Sequence, residues 1–414
     1  MISPPTVYSI EGLLLDRDRF RSGRVTVRGG RLVRPDGGGE VWRLSPEEVL
    51  VPGFHDHHTH LAGTHRPPRG PQLAAARSRE EALEATAAWL GANPGATPVI
   101  GEGWDESGWA VPRMPLRSDL DALAPDRPVV LRRVCGHLAI GNTTAWSALD
   151  PRGEGAERET GLLKEADAMG LAERWPPSAE EVLEGAIRGQ RHAFEEGVTG
   201  IDEMGRFEEH AAYREMARRG SLGLRIGFHF PIREQDRLEA AGIRAGAASG
   251  RLRAAGLKGF LDGSFGARTA AVSAPYEGGA ETGMLLWETE EILSLARRGA
   301  GAGFDLALHA IGDRAVDQAV EIYAALSGTA VPSRLRIEHA EQCASETIDR
   351  AAENGIVWSM QPNFTARWQG PEGLYERLLG TERTRGLNRY RTLASRGRLL
   401  FGSDTMPLGP LLGI

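Results

Sequence analysis

Histidines are concentrated in one short segment, residues 51–60, which read VPGFHDHHTH. Four of the 11 histidines of the chain lie between positions 55 and 60. The apolar run at 49–51 predicts an entering strand, on which His58 and His60 point to the same face. Two imidazoles on one face at the end of a strand form half of a site for a first-row metal ion. The pair alone also fits a polar loop, so the interpretation depends on further ligands along the chain.

Other residues that could take part in chemistry lie in or just after apolar runs. They are Lys258 and Asp262 around the run from Leu257, His309 after the run from Phe304, His339 after the run from Leu335, and Asp404 after the run from Leu399. Each has an ordinary structural role open to it, such as a turn cap for Asp404 or a surface position with a buried stem for Lys258. Strand ends carrying His-x-His, His, His and Asp together favour a metal site.

The elements that would position these residues alternate between apolar runs and amphipathic stretches. This alternation predicts an α/β protein with a parallel sheet, and eight such units close into a (β/α)8 TIM-type barrel. We assign the barrel strands to the runs near residues 51, 198, 224, 257, 304, 335, 356 and 399. Predicted helices include 78–91, 178–196, 289–302, 313–326, 345–354 and 380–395. Barrel enzymes carry their chemistry at the C-terminal ends of the strands, which is where the polar residues fall.

Two further segments complete the predicted organisation. Residues 1–50 are interpreted as a small β domain, part of a β-sandwich, with a hairpin turn at Gly29-Gly30. Residues 51–414 form the barrel, and an insertion at about 62–190 carries two extra strands, at 97–101 and 129–134.

Composition excludes several classes of protein. The chain has 414 residues, a net charge of −7, 41% hydrophobic and 25% charged residues, which is typical of a soluble globular protein. The acidic balance gives no reason to expect a nucleic-acid partner, and no apolar run is long enough for a membrane span. The N-terminus lacks the pattern of a secretory signal, and two isolated cysteines do not form a disulfide framework. We therefore expect a cytoplasmic protein.

Several motifs together resemble the amidohydrolase superfamily of metal-dependent hydrolases. The resemblance is closest to the YtcJ-like branch (amidohydrolase family 3), which includes N-substituted formamide deformylases. The motifs are Gly103-Trp104-Asp105, Gly136-His137, residues 160–165 (TGLLKE), 261–270 (LDGSFGARTA), 309–315 (HAIGDRA), 337–340 (IEHA), Gln361-Pro362 and 402–404 (GSD).

The resemblance implies a divalent metal cofactor held by six residues. His58 and His60 would bind the more buried ion, His309 and His339 a second one, and Lys258 would bridge the two as a carboxylated lysine. Asp404 would contact the metal and act as the catalytic proton acceptor. Zinc suits such ligands best, while iron, manganese or cobalt, and one ion instead of two, stay open. Asp56 would orient a ligand histidine without contacting the metal itself.

The resemblance also implies the reaction, which is hydrolysis of C–N bonds in small amides, N-substituted formamides or cyclic amides by metal-activated hydroxide. The candidate substrate-binding residues are His137, Asp262, Arg268, Trp104 and Gln361. Two alternatives remain at this point: a deaminase of an amino-substituted heterocycle, or a truncated, catalytically inactive barrel.

The end of the chain departs from the family pattern. The sequence stops at Ile414, ten residues after Asp404, where the family continues with a last barrel helix and returning strands. The resemblance thus implies a truncated or short form with an apolar flank, which a homodimer could cover.

Overall fold

A computed structural model describes residues 7–16, 19–35, 38–95, 97–152, 156–326 and 334–413. It divides into two compact units, residues 1–54 and 55–414. The strands are β1 (Val7–Asp16), β2 (Arg19–Arg28), β3 (Arg31–Val33), β4 (Glu40–Arg43), β5 (Val49–Leu50), β6 (Phe54–Thr59), β7 (Val99–Trp104), β8 (Val129–Arg133), β9 (Leu138–Gly141), β10 (Leu162–Lys164), β11 (Val198–Met204), β12 (Arg225–Pro231), β13 (Ala248–Ser249), β14 (Leu252–Phe260), β15 (Asp305–Ala310), β16 (Leu335–His339), β17 (Val357–Met360) and β18 (Arg398–Phe401). The helices are α1 (Leu61–Thr64), α2 (Arg79–Ala92), α3 (Arg117–Leu123), α4 (Thr143–Leu149), α5 (Ala166–Met169), α6 (Leu171–Arg174), α7 (Ala179–Glu195), α8 (Phe207–Arg218), α9 (Gln235–Ala240), α10 (Thr289–Gly301), α11 (Asp313–Leu326), α12 (Ser345–Glu353), α13 (Pro362–Trp368), α14 (Leu374–Leu379), α15 (Thr381–Arg385) and α16 (Tyr390–Arg396).

The first unit is a β-sheet, which confirms the predicted N-terminal β unit. Its strands follow the order β3-β2-β1-β4, and β5 pairs with β1. The turn between β2 and β3 is the predicted Gly29-Gly30, with φ angles of 55° and 73°. Such angles are those of a two-residue hairpin turn, which glycine adopts without steric cost.

The second unit is a barrel of parallel strands, as predicted. Its strands follow one another in the order β6-β11-β12-β14-β15-β16-β17-β18. Seven of them lie within or beside a predicted run, but the first one, β6, begins at Phe54, whereas the run at 49–51 forms β5 of the first unit. In β15 every residue after Asp305 is buried, because helices cover a parallel sheet on its outside. Beyond β18 the chain returns to β6: the Asp404 amide donates to the His58 carbonyl at 2.8 Å, and the Ser403 amide donates to Asp56 Oδ1 at 2.9 Å.

The segment between β6 and β11 carries a sheet of its own, in the order β10-β9-β8-β7. The predicted strands at 97–101 and 129–134 correspond to β7 and β8. The short strands β9 and β10, at Leu138–Gly141 and Leu162–Lys164, were not predicted. A core of buried apolar side chains, Leu120 and Leu131 among them, packs this insertion.

The amphipathic stretches form helices close to their predicted bounds, with one correction. The predicted helix at 380–395 is wrong, because the chain forms α15 and α16 with a break between them. At the break Asn388 has a φ of 50°, its amide donates to the Glu341 carbonyl at 2.8 Å, and its side chain donates to Gln369. These hydrogen bonds favour a left-handed turn at Asn388 over a continuous helix. None of the described helices has the length and apolar character to cross a bilayer.

Candidate metal centre

The six side chains expected to bind metal come together at the C-terminal ends of the barrel strands. His58 lies near the end of β6, Lys258 near the end of β14, and His339 ends β16. His60, His309 and Asp404 join them from the residue after β6, from β15 and from the turn after β18.

The shortest distances in the cluster centre on His58 and Asp404. His58 Nε2 is 3.1 Å from Lys258 Nζ and 3.6 Å from Asp404 Oδ1. Asp404 Oδ1 is also 3.3 Å from His60 Nε2. One ligand atom each from His58, His339 and Asp404 lie within 4.8 Å of one another. The His309 ring completes the group, 4.4 Å from the His339 ring between centroids.

Hydrogen bonds fix the orientation of three of the imidazoles. His58 Nδ1 is 2.6 Å from Glu338 Oε2, His60 Nδ1 is 2.7 Å from the Met204 carbonyl, and His309 Nε2 is 2.9 Å from the Gly263 carbonyl. Because the bonded nitrogen carries the proton in each case, the other nitrogen keeps a lone pair for a metal ion. His339 Nδ1 is buried and has no hydrogen-bond partner among the described residues. Buried nitrogens normally have a partner, and a metal ion would supply one for this nitrogen. The residues of the cluster therefore fit a divalent ion.

Burial sets the charge of these groups. It is the main cause that lowers the pKa of His58, His309 and His339 well below the ordinary value, and that of His60 to about 3. The imidazoles are therefore neutral near pH 7, which is the form that binds metal.

The two other predicted ligands shift in opposite directions. Burial lowers the pKa of Lys258 to about 8, so a minor fraction of its amine, larger than in an ordinary lysine, is uncharged near neutral pH. Burial raises the pKa of Asp404 to about 7, while the nearby Lys258 ammonium opposes that rise. Both groups can thus exchange a proton close to neutral pH.

The backbone is strained at two of these positions. His339 has a φ of 72° and Asp404 a φ of 55°. Left-handed backbone at a residue other than glycine costs on the order of 1 kcal/mol or more and is concentrated at functional sites. Here it directs each side chain from the end of its strand into the cluster.

Glu338 is a functional residue that the sequence did not single out. It is fully buried, and besides His58 it pairs with Arg336, whose guanidinium is 2.7 Å from Glu338 Oε1. Burial opposes ionisation, but Arg336 and Lys258 keep the pKa of Glu338 below its ordinary value. Its signal in the chain is the motif 337–340 (IEHA), in which Glu338 directly precedes the predicted ligand His339.

A cleft opens from the cluster and is lined on its far side by aromatic and apolar residues. The lining includes Phe265, Phe364, Trp368, Leu374, Tyr375 and Met406, together with His137, His309, His339, Glu341 and Asp404. His137 Nδ1 is 2.8 Å from Glu165, and against the effect of burial this carboxylate raises the pKa of His137 to about 9. His137 is therefore a cation at the edge of the cluster.

Of the predicted substrate-binding residues, His137 and Gln361 lie at the cluster. Gln361 is buried beside His339, and within the described part of the chain its side-chain amide has no hydrogen bond of good geometry. Asp262 lies 3.6 Å from His309 but already accepts hydrogen bonds from the amides of Ala271, Ile311 and Gly312, so it fixes loop backbone.

The structure does not bring Trp104 or Arg268 to the cluster. Trp104 is fully buried in the core of the insertion and donates to the Leu131 carbonyl at 3.2 Å. Arg268 is about one-third exposed and pairs with Glu281. Neither side chain is among those that line the cleft. Within the stretch 261–270 it is Ser264, Phe265 and Gly266, and not Arg268, that line the cleft.

Residues 47–412 match the profile described as "Amidohydrolase family". The chain is similar to YtcJ of Bacillus subtilis (strain 168), with 29% identity over 88% of this chain and 72% of that protein. It is also similar to the N-substituted formamide deformylase of Arthrobacter pascens, with 26% identity over 78% of this chain and 64% of the deformylase. A solved structure of an uncharacterized metal-dependent hydrolase from Pyrococcus horikoshii OT3 is 25% identical, with a TM-score of 0.76 over 98% of this chain and 83% of that one. The chain therefore belongs to the amidohydrolase superfamily of metal-dependent hydrolases, in its YtcJ-like branch.

Proposed function

We propose that this chain hydrolyses the C–N bond of small amides, with N-substituted formamides and cyclic amides as the candidate substrate classes. The observation that carries the proposal is the convergence of four neutral imidazoles, one lysine and one aspartate at the C-terminal ends of the barrel strands. The similarity to a relative named N-substituted formamide deformylase points to the same bond type.

The six clustered residues would hold the ion or ions, and imidazole and carboxylate donors suit zinc. A divalent ion there would polarise the substrate carbonyl and lower the pKa of a water molecule toward neutrality.

Asp404 is the group of this chain suited to move the proton. With a pKa near 7, its carboxylate accepts a proton from the attacking water and returns it to the leaving nitrogen. One water is consumed, the C–N bond breaks, and a carboxylic acid and an amine are released. A carboxyl with a pKa close to the working pH serves both directions of transfer.

Lys258 is proposed to carry a carboxyl group in the active protein. Its uncharged amine, which burial favours, attacks carbon dioxide to form an N–C bond and releases one proton. The resulting carbamate would add two oxygen ligands beside His58, whose Nε2 lies 3.1 Å from the lysine nitrogen.

His137 and the aromatic side of the cleft indicate how a substrate is oriented. Glu165 binds His137 Nδ1, which leaves Nε2 of the imidazolium as the donor to a substrate oxygen. Phe364 and Trp368 offer apolar surface to a substituent on the amide nitrogen. The cleft thus favours uncharged amides with an apolar substituent over charged peptides.

The test is hydrolysis of a matched panel by zinc-supplemented protein: N-benzylformamide, a five-membered cyclic amide, an aminopyrimidine and a dipeptide. We expect amine and formate from the formamide, or ring opening of the cyclic amide, at rates well above those of the dipeptide. Ammonia from the aminopyrimidine without amide cleavage would favour a deaminase. No turnover of any amide by protein with bound metal would refute the proposal.

A further inference from the structure

The barrel contains a second group of side chains that could bind a metal ion. Its two histidines come before His58 and His60 in the chain. The group consists of His55 and His57 on β6 and Asp202 on β11. His55 Nε2 is 3.4 Å from Asp202 Oδ1, and His57 Nδ1 is 3.2 Å from Asp202 Oδ2. One ligand atom from each of the three residues lies within 4.8 Å of the others. We propose that these three side chains bind a second, structural divalent ion of the zinc type, separate from the catalytic centre.

The distances agree better with ligands of one ion than with direct hydrogen bonds. Hydrogen bonds from N–H to oxygen are mostly about 2.7–3.2 Å long, so the 3.2 Å contact of His57 lies at the upper end of this range and the 3.4 Å contact of His55 lies beyond it. Ligands about 2.0–2.1 Å from a tetrahedral zinc ion lie about 3.3 Å from one another. The two rings lie side by side, 4.4 Å apart between centroids, and turn their nitrogens to the same carboxylate.

The charges around the group leave a carboxylate oxygen for the ion. Arg336 binds Oδ2 of Asp202 through one nitrogen and Glu338 through two others. Glu338 thus shares the charge of Arg336 with Asp202. The other carboxylate oxygen, Asp202 Oδ1, contacts only His55 among the described residues. Two imidazoles and one carboxylate are the ligand set of many zinc sites, with water at the fourth position.

The barrel makes room for the group where such barrels usually hold bulky apolar side chains. A Cβ on Gly200 would lie 2.5 Å from His55 Nδ1, and a Cβ on Gly227 would lie 2.6 Å from Asp202 Oδ1. Two neighbouring strands therefore carry glycine at the positions that the histidine and the aspartate need. The side chains of His55 and His57 are 36% and 29% exposed, which leaves a path for the ion from solvent.

An ion at this position would also stabilise the catalytic centre through a chain of side-chain contacts. Asp202 holds Arg336, Arg336 holds Glu338, and Glu338 fixes the ring of His58. The ion acts through this chain of contacts and does not touch the substrate.

The test counts tightly bound zinc in the full chain by competition with a chromophoric chelator. It compares wild type with His55→Gln and with the control His192→Gln, whose side chain is equally exposed at 36%. We expect His55→Gln to lose one zinc per chain, and His192→Gln to keep the wild-type number. Equal zinc content in wild type and His55→Gln would overturn the proposal.

A second measurement decides the question even if His55→Gln does not fold. In crystals of the zinc-loaded wild type, the anomalous difference map at the zinc edge should show a peak about 2.0–2.1 Å from His55 Nε2 and His57 Nδ1. Absence of that peak while the catalytic cluster shows its own would contradict the second site and leave the proposed hydrolase function intact.

Discussion

At the scale of single residues, the candidate site depends on the different effects that burial has on its groups. It keeps the imidazoles of His58 and His339 neutral, lowers the pKa of Lys258 to about 8, and raises the pKa of Asp404 to about 7. Metal binding needs neutral imidazoles, carboxylation needs an uncharged lysine amine, and proton transfer needs a carboxyl group whose pKa lies near the working pH.

Asp404→Asn removes the proton acceptor and keeps the size of the side chain. We expect kcat to fall by about 10²- to 10⁴-fold, the usual contribution of a general base, while most of the bound metal stays. Steady-state kinetics and metal analysis on the same sample check both statements. Asp349→Asn, at an exposed surface pair, is the control and should leave both unchanged. Undiminished turnover in Asp404→Asn would remove Asp404 from the mechanism.

Glu341 gives the stability of the protein a pH dependence of known sign. Burial raises its pKa from 4.5 to about 7, so the folded state favours the neutral acid. Its contribution to stability is complete below pH 4.5, declines as the pH rises, and is lost above about pH 7.

Glu341→Gln is neutral in both states and lacks this decline. Between pH 5 and 7 we expect wild type to lose stability relative to the variant, by at most about 1.4 kcal/mol per pH unit. Denaturant unfolding at pH 5, 6 and 7 measures the difference, with the exposed Glu346→Gln as control. A constant difference across this range would show that Glu341 is ionised in the folded protein.

At the scale of elements, the sequence predicts the barrel strands well because each is a buried apolar run, as in β15. It does not predict β9 and β10, which are only four and three residues long. The strand ends also located His309, His339 and Asp404, since topology brings strand ends together. The pairing of His58 with Glu338, 280 residues apart, depends on barrel register and has no local signal.

Motif resemblance has a different limit, which Trp104 and Arg268 illustrate. Both belong to stretches typical of the family, but one is a core side chain and the other a surface ion pair. A motif indicates that a residue matters to the fold or to the site, and it does not distinguish the two.

Asp56 connects the first and last barrel strands by accepting the amides of His58 and Ser403. Asp56→Ala leaves two buried donors unpaired, at a cost of about 1–3 kcal/mol each. We therefore expect a clearly lower Tm for Asp56→Ala and a smaller decrease for Asp56→Asn, whose amide oxygen can still accept. Thermal unfolding followed by circular dichroism distinguishes the two. Equal loss in both variants would mean that charge, and not acceptance of these bonds, holds the strands together.

At the scale of the whole molecule, the metal links function to stability. An ion that binds the folded state and not the unfolded state stabilises the protein by about 2.7 kcal/mol when its concentration is 100 times its Kd. Removal of metal with a chelator should therefore lower the Tm, and added zinc should restore it. Asp404→Asn, which keeps the histidine ligands, should retain most of this response, whereas His58→Ala should lose much of it. A Tm that does not respond to chelation or to zinc would contradict metal binding by the folded protein.

The central claim is that the clustered residues of β6, β14, β15, β16 and the turn after β18 hold the ion used for hydrolysis. Anomalous diffraction at the zinc edge, on crystals grown from protein that hydrolyses an amide, tests it most directly. We predict at least one ion about 2.0–2.1 Å from imidazole nitrogens of His58 and His60, with carbamate density on Lys258. Active crystals with no ion among His58, His60, His339 and Asp404 would contradict the account.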